Sequence, residues 1–342
     1  MLKQIRIIST CLWAACLLLA PAAFAQWQKQ SINTDASFRG LCAVNENVAW
    51  VSGTKGTVGR TTDGGKTWEV MQVPDAAQLD FRDIEAFSTS TAYILSIGNG
   101  ESSRIYKTTD GGKSWKLQFK NTNEKAFFDA MAFWDERHGI AMSDPVDGRF
   151  VFITTDDGGT TWKPISPERI PAALKGDGGF AASGTCLVTQ GKSNVWLGSG
   201  GAATTRIYRS TDRGKTWTVH DTPVQAGVAS AGIFSVGFRD AKTGIIVGGD
   251  YQKPNESGKT AAITHDGGKT WKLLENKLAF RSGIVFVQGK WIAVGPSGSD
   301  ESRDNGASWT QLDSENYNAV SFTKSGVGWV AGPKGLIAKF NK

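Results

Sequence analysis

The chain has 342 residues with 38 Lys and Arg against 32 Asp and Glu, and its formal charge of +6 is spread without the Lys/Arg block that marks a nucleic-acid stripe. Beyond the first 25 residues no apolar run approaches the ~20 that a membrane crossing needs. His138, His220 and His265 lack further ligands at zinc spacing, and no Gly-x-Gly-x-x-Gly opens a helix, so neither a metal nor a cofactor is expected.

In chain order, the first element is a basic start (Lys3, Arg6), a short apolar run from Leu12 to Ala20, and an Ala-Phe-Ala stretch ending at Ala25. This pattern reads as a secretory signal over residues 1–25, cleaved before Gln26, and predicts an exported chain, periplasmic or extracellular. Without Lys3 and Arg6 the charge falls to +4. Cys11 and Cys16 leave with the signal, whereas Cys42 and Cys186 remain. The repeat alignment places these two on innermost strands of well-separated units, too far for the ~7 Å limit on bridged Cα atoms, so two buried free thiols are expected.

From residue 61 onward the chain repeats Ser/Thr-x-Asp-x-Gly-x-Ser/Thr-Trp six times: Thr61–Trp68, Thr108–Trp115, Thr155–Trp162, Ser210–Trp217, Thr264–Trp271 and Ser302–Trp309. Self-similarity at roughly 40 to 55 residues is the mark of a propeller or array. Chemically the box is a self-satisfied turn. Asp and Ser/Thr side chains bond nearby backbone N–H groups, Gly accepts positive φ, and Trp starts the next strand. Asp63, Asp110, Asp157, Asp212, Asp266 and Asp304 are therefore structural, and the Glu ladder of a calcium loop is missing.

A weaker repeat precedes each box: FRGLCAV from Phe38, FRDIEAF from Phe81, FFDAMAF from Phe127, ASGTCLV from Ala182, GIFSVGF from Gly232, FRSGIVF from Phe280 and NYNAVSF from Asn316. The seventh copy lacks a box, and Trp27-Gln28-Lys29 mimics the segment that follows one. The prediction is an all-β, seven-bladed propeller of four-stranded antiparallel blades over residues 26–342, the last closed by the N-terminal strand. Ser166–Gly179, rich in Pro and Gly, reads as an interblade loop with room for one helical turn.

With strands A to D numbered outward from the axis, the box is the C-to-D turn, so strand-A starts and B-to-C loops share the opposite face. The second aligned positions are Arg39, Arg82, Phe128, Ser183, Ile233, Arg281 and Tyr317. In ring order Arg281, Tyr317, Arg39 and Arg82 stand on four consecutive blades, an arc suited to a carboxylate because Arg forks match it bidentately. Asp144, Asp250 and Asp300 are placed around the same mouth, with Asp129 nearby. The competing reading is that these arginines pair with Asp83, Glu85 and Asp129 in a network of ion pairs.

The boxes, the inner strands and the loops SDPVDGR, GGDY, FRSG and GPSGSD resemble the photosystem II stability/assembly factor-like family of BNR, or Asp-box, propellers. That resemblance covers the whole mature chain. It implies a non-enzymatic propeller whose arginine patch contacts a protein, carried here onto Arg39, Arg82 and Arg281. The expectation is a monomer that binds a protein or peptide partner in the cell envelope, with Tyr317, Asp129, Asp144 and Asp250 flanking the site. The alternative is a sialidase-like glycoside hydrolase, not an oxidoreductase, acting on a carboxylate or glycan through the arginines, Tyr317 and Asp83 or Asp300. Against it, Arg169-Ile170-Pro171 follows the third box, whereas sialidases place that signature before the first.

Overall fold

A computed structural model describes residues 26–275 and 278–340; the leader assigned to residues 1–25 lies outside them. Seven four-stranded antiparallel sheets are arranged as blades. Blade 1 shows the plan, with strands Phe38–Ala43, Ala49–Gly53, Thr57–Thr61 and Glu69–Gln72. Blade 7 takes three strands from Ala319 to Phe340 and its outermost from Trp27–Gln30, in the register Trp27↔Phe340 to Gln30↔Ile337. The expected closure is present. Apart from the strands, short 3₁₀ turns occur at Gly100–Ser102 and Pro167–Arg169, the latter inside the loop read from its Pro and Gly content.

Each box closes as its chemistry requires. In the first, Thr61 Oγ1 accepts from Gly65 N at 2.8 Å, and Asp63 accepts from Thr67 N at 3.0 Å and Thr67 Oγ1 at 2.6 Å. These bonds recur in the other five boxes. They favour the carboxylate, so Asp63, Asp110 and Asp157 are held down to about 2, with the Thr or Ser hydroxyl as the main cause. Where the first box Gly is replaced, Arg213 and Asn305 adopt φ of 61° and 57°, so the turn keeps its left-handed shape.

Box tryptophans rivet neighbouring blades. Trp217 of blade 4 stacks on Phe152 of blade 3 at 4.2 Å, and Trp68 of blade 1 donates to Gln30 of blade 7 at 3.0 Å. Second-strand aromatics work forward, with Tyr93 donating to Gly158 O at 2.7 Å and Trp196 to Gly267 O at 2.8 Å, both in the next blade's box. Apolar clusters accordingly sit between blades. A further cluster of Ala182, Phe234 and Phe280, with Phe180 against it, stands at the axis.

Three inner strands start three or more residues later than the repeat alignment places them, at Leu187, Gly283 and Ala319. In blade 4 the reason is tertiary. Residues 179–184 leave the sheet and cross the channel, turning at Gly184 with φ +78°. Cys42 and Cys186 are both free; Cys186 is buried, but Cys42 is only half-buried because it lines the channel.

Candidate functional site

The crossing segment divides the axis. On the side away from the boxes it floors a cavity of about 490 Å³, lined by Arg39 and Arg82 on one wall and by Phe180, Phe234, Tyr251 and Phe280 on the other. On the box side a chamber of about 370 Å³ is lined by strand-A residues including Asp83 and Glu85.

Arg39 and Arg82 reach the cavity because they open strands A of adjacent blades 1 and 2. Both hold the crossing segment. Arg39 Nη1 donates to Ala182 O at 3.1 Å and Arg82 Nη1 to Ala181 O at 3.2 Å. Arg82 is also paired with Asp80 at 2.8 Å, whereas Arg39 has no ion pair among the described residues. Burial first, then the neighbouring Arg82, press the Arg39 guanidinium down to about 10, with Asp80 opposing. It remains charged, so this wall carries two cations against one carboxylate.

The apolar wall is built by stacking. Phe180 lies face to face with Phe234 at 3.9 Å, and Phe234 meets Phe280 at 4.7 Å and Tyr251 at 6.1 Å, both edge-on. Gly232 makes this possible, since a Cβ there would run into the Phe180 ring. Tyr251 is half-exposed at the rim.

The crossing segment is anchored by acids. Asp144 accepts from Gly179 N at 2.7 Å, and Asp177, just before it, is bound by Arg206 at 2.6 Å and Tyr208 at 3.1 Å. Asp129 faces Asp144, and burial with that neighbour pushes its carboxyl well up; burial raises Asp144 to about 6. Each carboxylate disfavours ionisation of the other. Asp83 accepts from Met131 N at 2.7 Å and packs against Gly184, with burial lifting it to about 7.

The arc of four residues does not assemble. Arg281 is 3% exposed and bound to Asp300 and to Ser297 Oγ, the latter at 2.9 Å. Tyr317 is buried against Trp27 and donates to Asp313 at 2.7 Å; burial, then Asp313, raise its hydroxyl pKa. Asp250 is buried and caps its own loop by accepting from Gln252 N at 3.0 Å. The acidic residues placed around the mouth, Asp129, Asp144, Asp250 and Asp300, therefore do not line the cavity. Nor are they or Asp83 and Glu85 the partners of Arg39 and Arg82. Tyr317, Asp83 and Asp300 each serve a different partner, so these three do not come together as the nucleophile and acid that glycoside hydrolysis would need.

Sequence reasoning missed the aromatic wall. Phe280 and Phe234 stood in aligned strands and Tyr251 in the GGDY loop, but Phe180 carries no local signal, because it meets these rings only when blades 4, 5 and 6 converge.

The sequence profile of a family described as "Photosynthesis system II assembly factor YCF48" matches residues 19–124, and that of the BNR/Asp-box repeat matches residues 208–219 and 262–273. The photosystem II assembly lipoprotein Ycf48 of Synechocystis sp. is 39% identical over 56 residues, 16% of this chain and 16% of that protein, so the match spans a small part of the relative. A structure described as YCF48 bound to D1 peptide superposes with TM-score 0.67 at 17% identity, covering 94% of this chain and 98% of that one. YCF48 from Cyanidioschyzon merolae gives 0.66 at 19%, covering 93% and 99%. At these identities the structures share the fold. The chain is a seven-bladed BNR propeller that resembles the photosystem II assembly-factor group. Among the described residues no helix is long and apolar enough to cross a membrane.

Proposed function

We propose that this propeller, resembling the photosystem II assembly factors, is an exported, non-catalytic monomer that binds a polypeptide partner at the cavity opposite its boxes. One observation carries the reading: Arg39, without a carboxylate partner among the described residues, stands beside Arg82 across a 490 Å³ cavity from an aromatic wall. A carboxylate of the partner completes the guanidinium fork, and an apolar side chain next to it covers Phe234 and Tyr251. Charge-assisted bonds of this kind contribute about 1.5–3 kcal/mol each.

The likeness to a YCF48 solved with a D1 peptide supports a peptide as the class of ligand. The basic, apolar leader at Lys3, Arg6 and Leu12–Ala20 supports export and an envelope partner. The test is co-purification from envelope extract with the wild-type chain and with Arg39→Ala/Arg82→Ala. A partner held by the first and lost by the second is expected; equal recovery refutes the assignment of the site.

A further inference from the structure

We propose that the groove between blades 3 and 4, on the box face and remote from the arginine cavity, is a second docking surface, fitted to an acidic polypeptide segment.

The groove lies where the short outer strand of blade 3 is followed by the Pro167–Arg169 3₁₀ turn, which borders it. Strand D of blade 3 is only Lys163–Pro164, pairing with Thr154 and Ile153 of a third strand that runs Arg149–Thr155. Outer strands of four or five residues complete blades 1, 2, 4, 6 and 7, and blade 5 ends in the similarly short Lys272–Leu273. The ladder ends after Ile165, whose N–H donates to Phe152 O at 2.8 Å, and Pro167 starts the 3₁₀ turn that swings the chain away. The groove is a cavity of about 570 Å³, larger than the one opposite the boxes, with Trp134, Pro164 and Ile165 among its lining groups.

Its charge is one-sided. The lining holds Lys163, Arg169, Arg213 and Lys215 against the single acid Asp156, with the imidazole of His138 beside them. The acids that answer these cations do so at long range, Asp156 to Lys163 at 3.8 Å and Asp135 to Arg213 at 3.9 Å, while Asp135 is committed to His138 at 2.7 Å. Glu168, beside Arg169, is taken up by the Ser166 hydroxyl. Arg169 and Lys215 have no ion pair among the described residues. Loose pairs and free cations gain most from an incoming carboxylate, because little must be broken to receive it.

The arrangement also selects the ligand's form. Lys163 stands on strand D of blade 3, Arg169 on the 3₁₀ turn, and Arg213 and Lys215 in the box of blade 4, so the cations come from three separate elements instead of a single phosphate-sized cradle. Carboxylates spaced along a chain suit that distribution, and the Trp134, Pro164 and Ile165 surfaces take the methylene stems between them. A protein with one acidic run could thereby hold the propeller by an edge that its arginine cavity does not use.

The test is fluorescence anisotropy of a fluorescein-labelled Glu/Gly decapeptide on the full chain, with Arg169→Glu/Lys215→Glu and Arg39→Ala/Arg82→Ala as variants. Both residues of the groove variant are exposed, so the fold is expected to persist, checked by an unchanged thermal midpoint. The proposal expects at least a tenfold loss of affinity in the groove variant, no more than a twofold change in the cavity variant, and weakening as salt rises. No binding by wild type, equal binding by the groove variant, or displacement of the peptide by a cavity substitution alone would overturn it. So would a heparin fragment or anionic vesicles binding through Arg169 and Lys215 while the peptide does not.

Discussion

Arg39 donates a hydrogen bond to the carbonyl of Ala182, 143 positions along the chain and three blades away, at 3.1 Å. One N–H of the guanidinium fixes the segment that floors the cavity, and under the proposed function the rest of the fork receives the partner's carboxylate. The same residue thus orders the floor and supplies the charge. Lys can donate to the carbonyl and carry charge, but its compact ammonium lacks the planar fork that matches a carboxylate bidentately at the same time.

Arg39→Lys is accordingly expected to keep the fold but to weaken capture of the co-purified partner about tenfold or more, the scale of one charge-assisted bond. Titration of the purified partner against wild type and variant checks this. An unchanged affinity would mean that Arg39 acts through its charge alone.

Gly232→Ala places a methyl where the Phe180 ring lies. Phe180 must then give up its 3.9 Å stack on Phe234, and the crossing segment loses its apolar hold. Overpacking of this kind costs about 1–3 kcal/mol. Urea unfolding should show that loss, and Phe180→Ala should remove only part of the further penalty of Gly232→Ala, because the methyl also stands 2.6 Å from Gly200 Cα.

Asp83 has its carboxyl raised to about 7, above its ordinary 3.8, by burial. Between these values the folded chain retains a proton that the unfolded chain has released, so stability from this group falls as pH rises through that window and stays low above it. Asp83→Asn keeps an oxygen for Met131 N and removes the titration. The thermal midpoint of the variant relative to wild type is expected to climb from pH 4 to pH 8; parallel curves would show that Asp83 is ionised in the fold.

Trp27 closes the ring. It pairs with Phe340, packs against it at 4.9 Å, and donates to Ser299 of blade 6 at 2.9 Å. Trp27→Ala is expected to cost about 3–5 kcal/mol, as for a large aromatic removed from a core, and to lower the urea midpoint. A change below about 1 kcal/mol would contradict a closure that depends on this strand.

What was readable in the sequence follows a physical division. The boxes satisfy their own backbone within eight residues, as Thr61 and Asp63 do, so their positions and the strands between them are local facts. The pairing of Trp27–Gln30 into blade 7 was legible for the same reason, because a missing strand D must be supplied from the other end. The site was only half legible. Arg39 and Arg82 open their strands as aligned, but Arg281 turns to Asp300 and Tyr317 to Asp313, and these partners lie in neighbouring strands and loops that no periodicity links. Phe180 is the extreme case, a loop residue whose role depends on a ring in the next blade.

The central claim, that a polypeptide sits on the face opposite the boxes between the arginines and the aromatic wall, is tested most directly by site-specific photo-crosslinking. A benzophenone side chain is placed at Tyr251, on the cavity rim, and separately at Leu117, an exposed position on the outer strand of blade 2. The account predicts a crosslinked partner from position 251 that disappears with Arg39→Ala/Arg82→Ala, and none from position 117. The same adduct from both positions, or one from 251 that survives loss of both arginines, would contradict it.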